Sequence, residues 1–103
     1  MKNKPMGMPL KKVLAEEMED PNFRFYFERA KAVRSIAQLI RTAREKAGLT
    51  QAALAKKIGS SQSVIARLES ANNTRIPSLN LLERIATVFR ARLSISFEYP
   101  RAA

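Results

Sequence analysis

Two side chains near the middle of the chain, Gln62 and Arg67, have the chemistry needed to read the edges of nucleic-acid bases. A glutamine amide can pair in bidentate fashion with adenine, and the arginine fork matches guanine. Ser63 is a shorter and less discriminating candidate. Ile65 and Leu68 are predicted to face inward, which turns the three polar side chains outward. For each of them a simply solvated surface position is the alternative.

A second group of polar residues is suited to holding phosphate. Thr50 and Gln51 begin one predicted helix, and Ser61 caps the next. Helix N-termini offer backbone N–H groups and the positive end of the helix dipole, and phosphate contacts of this kind fix position rather than sequence. The polar loop after the second helix supplies further candidates, for which a solvated role is about as plausible: Asn72, Asn73 and Arg75.

These residues lie within residues 48–77, a stretch that predicts two short helices joined by a tight turn. Thr50 is a natural N-cap and Gly59 ends the first helix, after which Ser61 caps the second. Ala55, four residues before Gly59, is small enough to allow close helix approach. Two helices at a steep angle let the second lie in the DNA major groove while the first crosses the backbone.

The N-terminal third predicts an irregular arm followed by helices. Residues 1–9 mix Lys, Pro, Gly and Met without periodicity, and residues 10–19 have the spacing of a short amphipathic helix. Asp20, followed by proline, is a clear helix start. The apolar stripe beyond it is compatible with one rod over residues 21–47 or with a break near Ser35, a plausible second N-cap.

The C-terminal part predicts a helix and then a strand. Ser78 caps the helix, and Leu93, Ile95 and Phe97 alternate with polar residues in the period-two pattern of a strand. No partner strand is evident in the chain, so pairing with a second copy or another protein is expected. These three apolar residues are the predicted dimerisation residues. A homodimer would present two recognition helices about 34 Å apart and require a palindromic operator.

Composition narrows the classes of function. The formal net charge of +10 favours polyanions such as double-stranded DNA, although solubility alone is an alternative. The chain has no Cys and no His, which removes thiolate nucleophiles, imidazole bases and the usual zinc ligands. We therefore expect that the protein is not an enzyme and that it binds no cofactor, no metal and no small-molecule ligand. Without an apolar span or signal core, no membrane is expected as a partner, and a cytoplasmic location, at the nucleoid when bound to DNA, is predicted.

The segment GLTQAALAKKIGSSQSVIARLES resembles the helix-turn-helix of the phage-repressor-like, or Xre, regulators. Thr-Gln opens the helix before the turn, Leu-Ala fills the inner face of that helix, and Gly ends it. Ser-Gln then opens the recognition helix, which Leu-Glu closes. The resemblance covers about residues 35–89. It implies a mainly α, five-helix repressor-like bundle, here with an N-terminal helical extension and one short C-terminal β-strand. Arg44 and Glu69 match family positions that form a largely buried ion pair, which implies a structural role.

The wider chain resembles a narrower group, the HigA-type antitoxins of toxin–antitoxin systems. The segments that carry this resemblance are DPNFRFYFERA, IPSLNLLERIA and the closing RLSISFE. It implies a protein that neutralises a RelE/HigB-like, ribosome-dependent mRNA-cutting toxin and represses the shared operon. Two alternatives are a stand-alone phage- or plasmid-type regulator and a toxin-inhibiting module whose helix-turn-helix no longer reads DNA.

The predicted toxin-binding surface is the acidic cluster between the first two helices. A basic toxin would be attracted to acid, although a solvated helix end is equally compatible with this cluster. Its residues are Glu16, Glu17, Glu19 and Asp20, with Phe23 beside them. The predicted organisation has three parts: an N-terminal arm and helical extension over residues 1–34, a DNA-binding domain over 35–90, and a dimerising strand and tail over 91–103.

Overall fold

The computed structural model of the 103-residue chain describes residues 9–70, 72 and 75–100. Within these ranges the chain forms five α-helices and no β-strand. The helices are α1 (Leu10–Glu17), α2 (Pro21–Lys46), α3 (Gln51–Lys57), α4 (Gln62–Leu68) and α5 (Leu79–Val88). The prediction of a mainly helical bundle is confirmed. The predictions for residues 1–8 of the arm and for Asn73 lie outside the described residues.

The short helix α1 and the long helix α2 are joined by a turn at residues 18–20. α1 buries no residue and has no side-chain N-cap. α2 starts as the sequence predicts, because the Asp20 carboxylate accepts the N–H of Asn22 at 2.9 Å and Pro21 occupies the first turn. No helix in the described part of the chain is long and apolar enough to cross a membrane.

α2 is continuous over 26 residues and does not break near Ser35. The Ser35 hydroxyl donates to the carbonyl of Lys31 at 3.0 Å. A serine bonded to the carbonyl four residues earlier satisfies its hydroxyl inside the helix and has no need to cap a new one. The rod alternative is therefore the one adopted, and the predicted domain boundary at residues 34 and 35 falls inside this helix.

Glycines end α2 and α3. Gly48 and Gly59 both adopt φ 70°, the left-handed conformation that costs glycine least. The N–H that follows each glycine reaches back to the carbonyl five residues earlier: Leu49 to Arg44 at 3.1 Å, and Ser60 to Ala55 at 2.8 Å. This pairing satisfies the last carbonyls of each helix and turns the chain sharply. The entry to α3 and the turn between α3 and α4 are thus fixed by local backbone geometry.

The core lies where α2, α3, α4 and α5 meet. Leu54 on α3 and Ile65 on α4 are 0% exposed, and Ile40 and Ile85 bring α2 and α5 against them. The buried cluster consists of Ile40, Leu54, Ala55, Ile58, Ile65, Leu68 and Ile85. Ala55 is 2% exposed, so its small side chain occupies a crowded position. This cluster holds α3 and α4 at their angle to each other.

The strand expected over residues 93–97 is absent from the described part of the single chain. α5 ends at Val88, Arg90 adopts φ 55°, and residues 91–100 have no regular secondary structure. Ile95 is 67% exposed and Phe97 is 86% exposed. A strand exists only when a neighbouring strand accepts and donates its backbone hydrogen bonds, and residues 9–70, 72 and 75–100 contain no such neighbour.

Candidate nucleic-acid interface

The helix α4 presents a polar face away from the core. Ser61 caps it by accepting the N–H of Val64 at 3.3 Å. Ile65 and Leu68 are buried, which fixes the rotation of the helix about its axis. The three predicted base readers, Gln62, Ser63 and Arg67, are all exposed. The structure therefore brings them together on one solvent-facing surface of a short helix.

At the start of α3, Thr50 and Gln51 have partners within the protein. The Thr50 hydroxyl accepts the N–H of Ala53 at 3.0 Å and so caps the helix. Gln51 is half-buried, and its Nε2 donates to Oε1 of Glu69 at 3.3 Å. The first backbone N–H groups of this helix have no intrahelical acceptor, as at any helix start, and remain suited to phosphate. The Gln51 side chain is thus tied to α4, which sequence reasoning missed.

The loop after α4 carries the remaining predicted phosphate contacts. Asn72 is exposed, and its backbone N–H donates to the Ser70 hydroxyl at 3.2 Å. Arg75 is exposed and engaged in an interaction of its own. Two members of this predicted group therefore lie at the surface beyond the C-terminus of α4.

Arg44 and Glu69 form a two-point ion pair between α2 and the end of α4. Arg44 Nε lies 2.7 Å from Glu69 Oε2, and Arg44 Nη2 lies 2.9 Å from Oε1. The remaining Arg44 nitrogen, Nη1, donates to the carbonyl of Leu49 at 2.8 Å. The side chain of Glu69 is 1% exposed and that of Arg44 is 14% exposed. Two parallel hydrogen bonds between a buried carboxylate and a guanidinium give a strongly directional link.

A second arginine of α2 converges on the same residue. Arg41 Nη2 donates to the backbone carbonyl of Glu69 at 2.6 Å, and its Nε lies 3.8 Å from Oε1. Glu69 is the C-cap of α4, so this guanidinium sits at the negative end of the helix dipole. The sequence contained a signal for it, because Arg41 lies three residues before Arg44 and shares its side of α2. We name Glu69, Arg41, Arg44 and Gln51 the Glu69 cluster.

The Glu69 cluster keeps its carboxylate ionised. Burial acts to raise the pKa of Glu69, but hydrogen bonds from Arg44 and Gln51 and the charges of Arg44 and Arg41 outweigh it and hold the pKa below its usual range. The hydrogen bond to Glu69 raises the pKa of Arg44 above its ordinary value against the opposing effect of burial. In the described residues every buried side-chain nitrogen and oxygen has a hydrogen-bond partner.

The predicted toxin-binding residues surround the junction of α1 and α2. Glu16, Glu19 and Asp20 are exposed and Glu17 is half-buried. Glu16 and Glu17 take part in interactions, and Asp20 caps α2. Phe23 stacks on Phe27 with ring centroids 6.1 Å apart. The acidic cluster is therefore partly used in building this junction.

The predicted dimerisation residues lie on the segment after α5. Leu93 is half-buried, while Ile95 and Phe97 are exposed. Tyr99 continues the apolar series and is 84% exposed. The single chain thus leaves most of this apolar series uncovered.

A short capped helix held by a glycine turn against a second helix, with polar side chains outward and apolar ones buried, defines a helix-turn-helix protein. The helix-turn-helix family model matches residues 40–95, more than half of the chain, and the protein belongs to this family of Xre-like, DNA-binding transcription regulators. Such domains are typically non-enzymatic. Comparisons with curated proteins and with solved structures gave no match.

Proposed function

We propose that this protein is a dimeric repressor that binds a palindromic operator and regulates its own operon. The observation that supports this most directly is the exposed trio of Gln62, Ser63 and Arg67 on a helix whose rotation is fixed by buried Ile65 and Leu68. α4 enters the major groove with these side chains against base edges. Thr50, Gln51 and Ser61, with Asn72 and Arg75 beyond the end of α4, hold phosphates.

The Glu69 cluster sets the angle at which α4 is presented. Arg44 and Arg41 of α2 hold the C-terminus of α4, and Gln51 ties the start of α3 to the same carboxylate. Base readout requires side chains to arrive in register with the groove. A rigid link from α2 and α3 to the recognition helix α4 therefore serves specificity as well as stability. In this proposal residues 35–90 form the DNA-binding part and residues 91–103 the dimerisation part.

Titration of fluorescent DNA from the protein's own promoter tests the base-reading assignment. We expect Gln62→Ala and Arg67→Ala each to weaken operator binding about thirtyfold or more, because each variant of the proposed dimer loses a bidentate base contact of about 1–3 kcal/mol in both copies. Arg84→Ala, which removes an exposed arginine from α5, is the matched control and should bind nearly as the wild type. Wild-type affinity in both α4 variants would reject this site.

The finer proposal is that the protein is also an antitoxin for a RelE/HigB-like toxin. Its support is the HigA-type resemblance together with the junction of α1 and α2, where acidic residues lie near aromatic ones. Phe25 and Tyr26 are 60% and 66% exposed there and contact each other edge to face. An acidic surface with exposed aromatic rings suits a basic protein partner. The protein would work in the cytoplasm, at the nucleoid when bound to its operator.

Co-purification of the neighbouring gene product with the full chain tests the antitoxin proposal. Glu16→Lys combined with Glu19→Lys reverses charge at the junction and should abolish capture while leaving operator binding unchanged. Glu45→Lys combined with Glu83→Lys makes the same change in net charge at exposed sites away from the junction and should still capture the toxin. Equal capture by both double variants would reject the acidic surface as the toxin site.

A stand-alone regulator without a toxin is equally consistent with membership of the family. The two proposals differ in one cellular outcome. If the neighbouring gene arrests growth when expressed alone and growth returns on co-expression of this protein, the antitoxin role holds. Absence of any toxic neighbour, with operator binding intact, would leave the stand-alone role.

A further inference from the structure

The apolar segment after α5 has a charge pattern that is complementary to itself. Arg92 and Glu98 are its two charged residues, and they lie at equal distances on either side of Ile95. All three side chains are exposed in the single chain. The same symmetry places Leu93 against Phe97 and Ser94 against Ser96 when the segment is read backwards along a second copy.

We infer that residues 92–98 of two copies pair as antiparallel strands in a register centred on Ile95. Arg92 of each copy then faces Glu98 of the other, and the two Ile95 side chains face each other at the two-fold axis. This inference rests on the dimerisation part of the proposed function and specifies its geometry. Seven residues at about 3.3 Å each give a ribbon of about 23 Å, within the usual length of a strand.

The register follows from the pairing rules of antiparallel strands. Residues directly opposite each other point to the same face of the sheet, so apolar residues must face apolar ones. Every shift by one residue places a large apolar side chain opposite a serine or a charged residue. The centred register instead gives one face made of Leu93, Ile95 and Phe97 from both copies, and one face made of the polar residues.

Shifts by two residues preserve the faces but lose the charge pairs or the backbone hydrogen bonds. In one direction Glu98 would face Arg90, which adopts φ 55° and donates its N–H to the Thr87 carbonyl at 3.0 Å. In the other direction Arg92 would face Pro100, which has no N–H to donate. Of these registers, only the one centred on Ile95 pairs both charges of both copies with backbone that is able to form a ladder.

A parallel arrangement is disfavoured by the same residues. It would place Arg92 beside Arg92 and Glu98 beside Glu98, and like charges directly opposite each other destabilise a strand pair. Leu93 is half-buried, so the start of the segment is partly covered within its own chain.

Sedimentation velocity of the full chain without DNA, at low ionic strength, tests the register through charge reversal. The wild type should be a dimer. Arg92→Glu and Glu98→Arg should each raise the dissociation constant about tenfold or more, because each turns two attractive pairs into two repulsive ones. Arg34→Glu, which reverses an exposed arginine on α2, is the control and should leave the dimer intact.

Restoration is the decisive readout. An equimolar mixture of the Arg92→Glu and Glu98→Arg proteins should form a heterodimer of near wild-type affinity, because each negative residue again faces a positive one. The double variant Arg92→Glu/Glu98→Arg should also dimerise. If neither the mixture nor the double variant restores association, the register is overturned. Restoration, in turn, shows that the single variants lost association through charge and not through unfolding, because an unfolded variant could not form the heterodimer.

Cysteine cross-linking tests the position of the two-fold axis, and it is clean because the chain has no cysteine. Ile95→Cys should form a disulfide-linked dimer under mild oxidation, since only residue 95 faces the same residue of the other copy. Phe97→Cys, at a more exposed site, places its two sulfurs on residues about 14 Å apart, beyond the roughly 7 Å limit of a disulfide. Faster linkage at position 97 than at position 95 would overturn the inference.

The outcomes separate this inference from DNA binding. A wild-type dimer unaffected by either charge reversal would overturn the register while leaving a dimeric repressor in place. A wild-type monomer that pairs through residues 92–98 only with another protein would overturn the register and the dimerisation proposal together. Operator titration with Gln62→Ala and Arg67→Ala reports on the DNA-binding proposal independently of both results.

Discussion

At the scale of single residues, Glu69 connects three helices through one carboxylate. Arg44 of α2 and Gln51 of α3 donate to this carboxylate, while Arg41 of α2 donates to the backbone carbonyl of Glu69, the residue that ends α4. Among the described residues, Glu69 is the single polar or charged residue that is buried, at 1% exposure. Replacing both partners of a buried ion pair by apolar residues is often neutral for stability, whereas removing one partner is costly because it leaves a buried charge unpaired.

Glu69→Ala is predicted to lower the free energy of unfolding by about 3 kcal/mol, because it leaves the guanidinium of Arg44 buried without its partner. Arg44 retains the Leu49 carbonyl and some solvent contact, which places the loss at the lower end of the range for such pairs. Urea denaturation measures it. The exposed control Glu83→Ala should stay within about 0.5 kcal/mol of the wild type, and an equal effect of both would contradict this role for Glu69.

The lowered pKa of Glu69 predicts acid sensitivity of the fold. Its pKa in the folded protein lies below the unfolded value of about 4.3. The stabilisation is therefore fully present above that value and is lost as pH falls through it toward the folded pKa. Between pH 7 and about pH 3.5, the midpoint of urea unfolding should fall more in the wild type than in Glu69→Gln, which has no carboxylate to protonate at this position. An equal fall of the midpoint in both proteins would contradict a role for Glu69 in acid sensitivity.

At the scale of elements, helix ends determine how the chain turns. Thr50, Ser61 and Ser78 each accept a first-turn N–H, and Asp20 does the same for α2. The turns after α2, α3 and α5 all place one residue in the left-handed conformation. Glycine occupies two of these positions, and Arg90 occupies the third at a conformational cost that glycine avoids.

Arg90→Gly is predicted to stabilise the protein by up to about 1 kcal/mol, because relief of the left-handed strain exceeds the added freedom of glycine in the unfolded chain. Thermal unfolding should show a midpoint increase of a few degrees, up to about 8 °C. Gly59→Ala is the opposite change at φ 70°, where an added Cβ meets no atom within 4 Å. It should destabilise by backbone strain alone. A lower midpoint for Arg90→Gly would refute the strain argument.

At the scale of the whole molecule, net charge and the proposed pairing of two copies act together in DNA binding. Each chain carries +10, so the proposed dimer would approach DNA with twice that charge. Phosphate contacts by lysine and arginine release counterions and make binding strongly salt-dependent, whereas uncharged base contacts do not. The two kinds of contact can therefore be separated by salt titration.

Operator affinity is predicted to fall about a thousandfold or more between 50 and 200 mM salt. Arg75→Ala should reduce the slope of log affinity against log salt by about 2 for a dimer, one unit for each lost cation per copy. Gln62→Ala should lower affinity at every salt concentration without changing the slope. Fluorescence anisotropy across a salt series measures both, and an unchanged slope in Arg75→Ala would remove that residue from the phosphate contacts.

Features set by neighbouring residues were readable from the sequence, whereas the contact of the distant residues Arg44 and Glu69 was implied only by the family resemblance. Caps, helix-ending glycines and the three-to-four spacing of apolar residues act over a few positions, and they predicted the α3 turn α4 unit and the outward placement of Gln62 and Arg67. Tertiary structure decided the rest. The local pattern left a break at Ser35 open, and the structure shows Ser35 bonded to Lys31 within one long helix. Glu69 collects Arg41 and Gln51 from separate elements. Residues 93–97 form no strand in a single chain because β-pairing requires a second strand, and the described residues of the chain contain none.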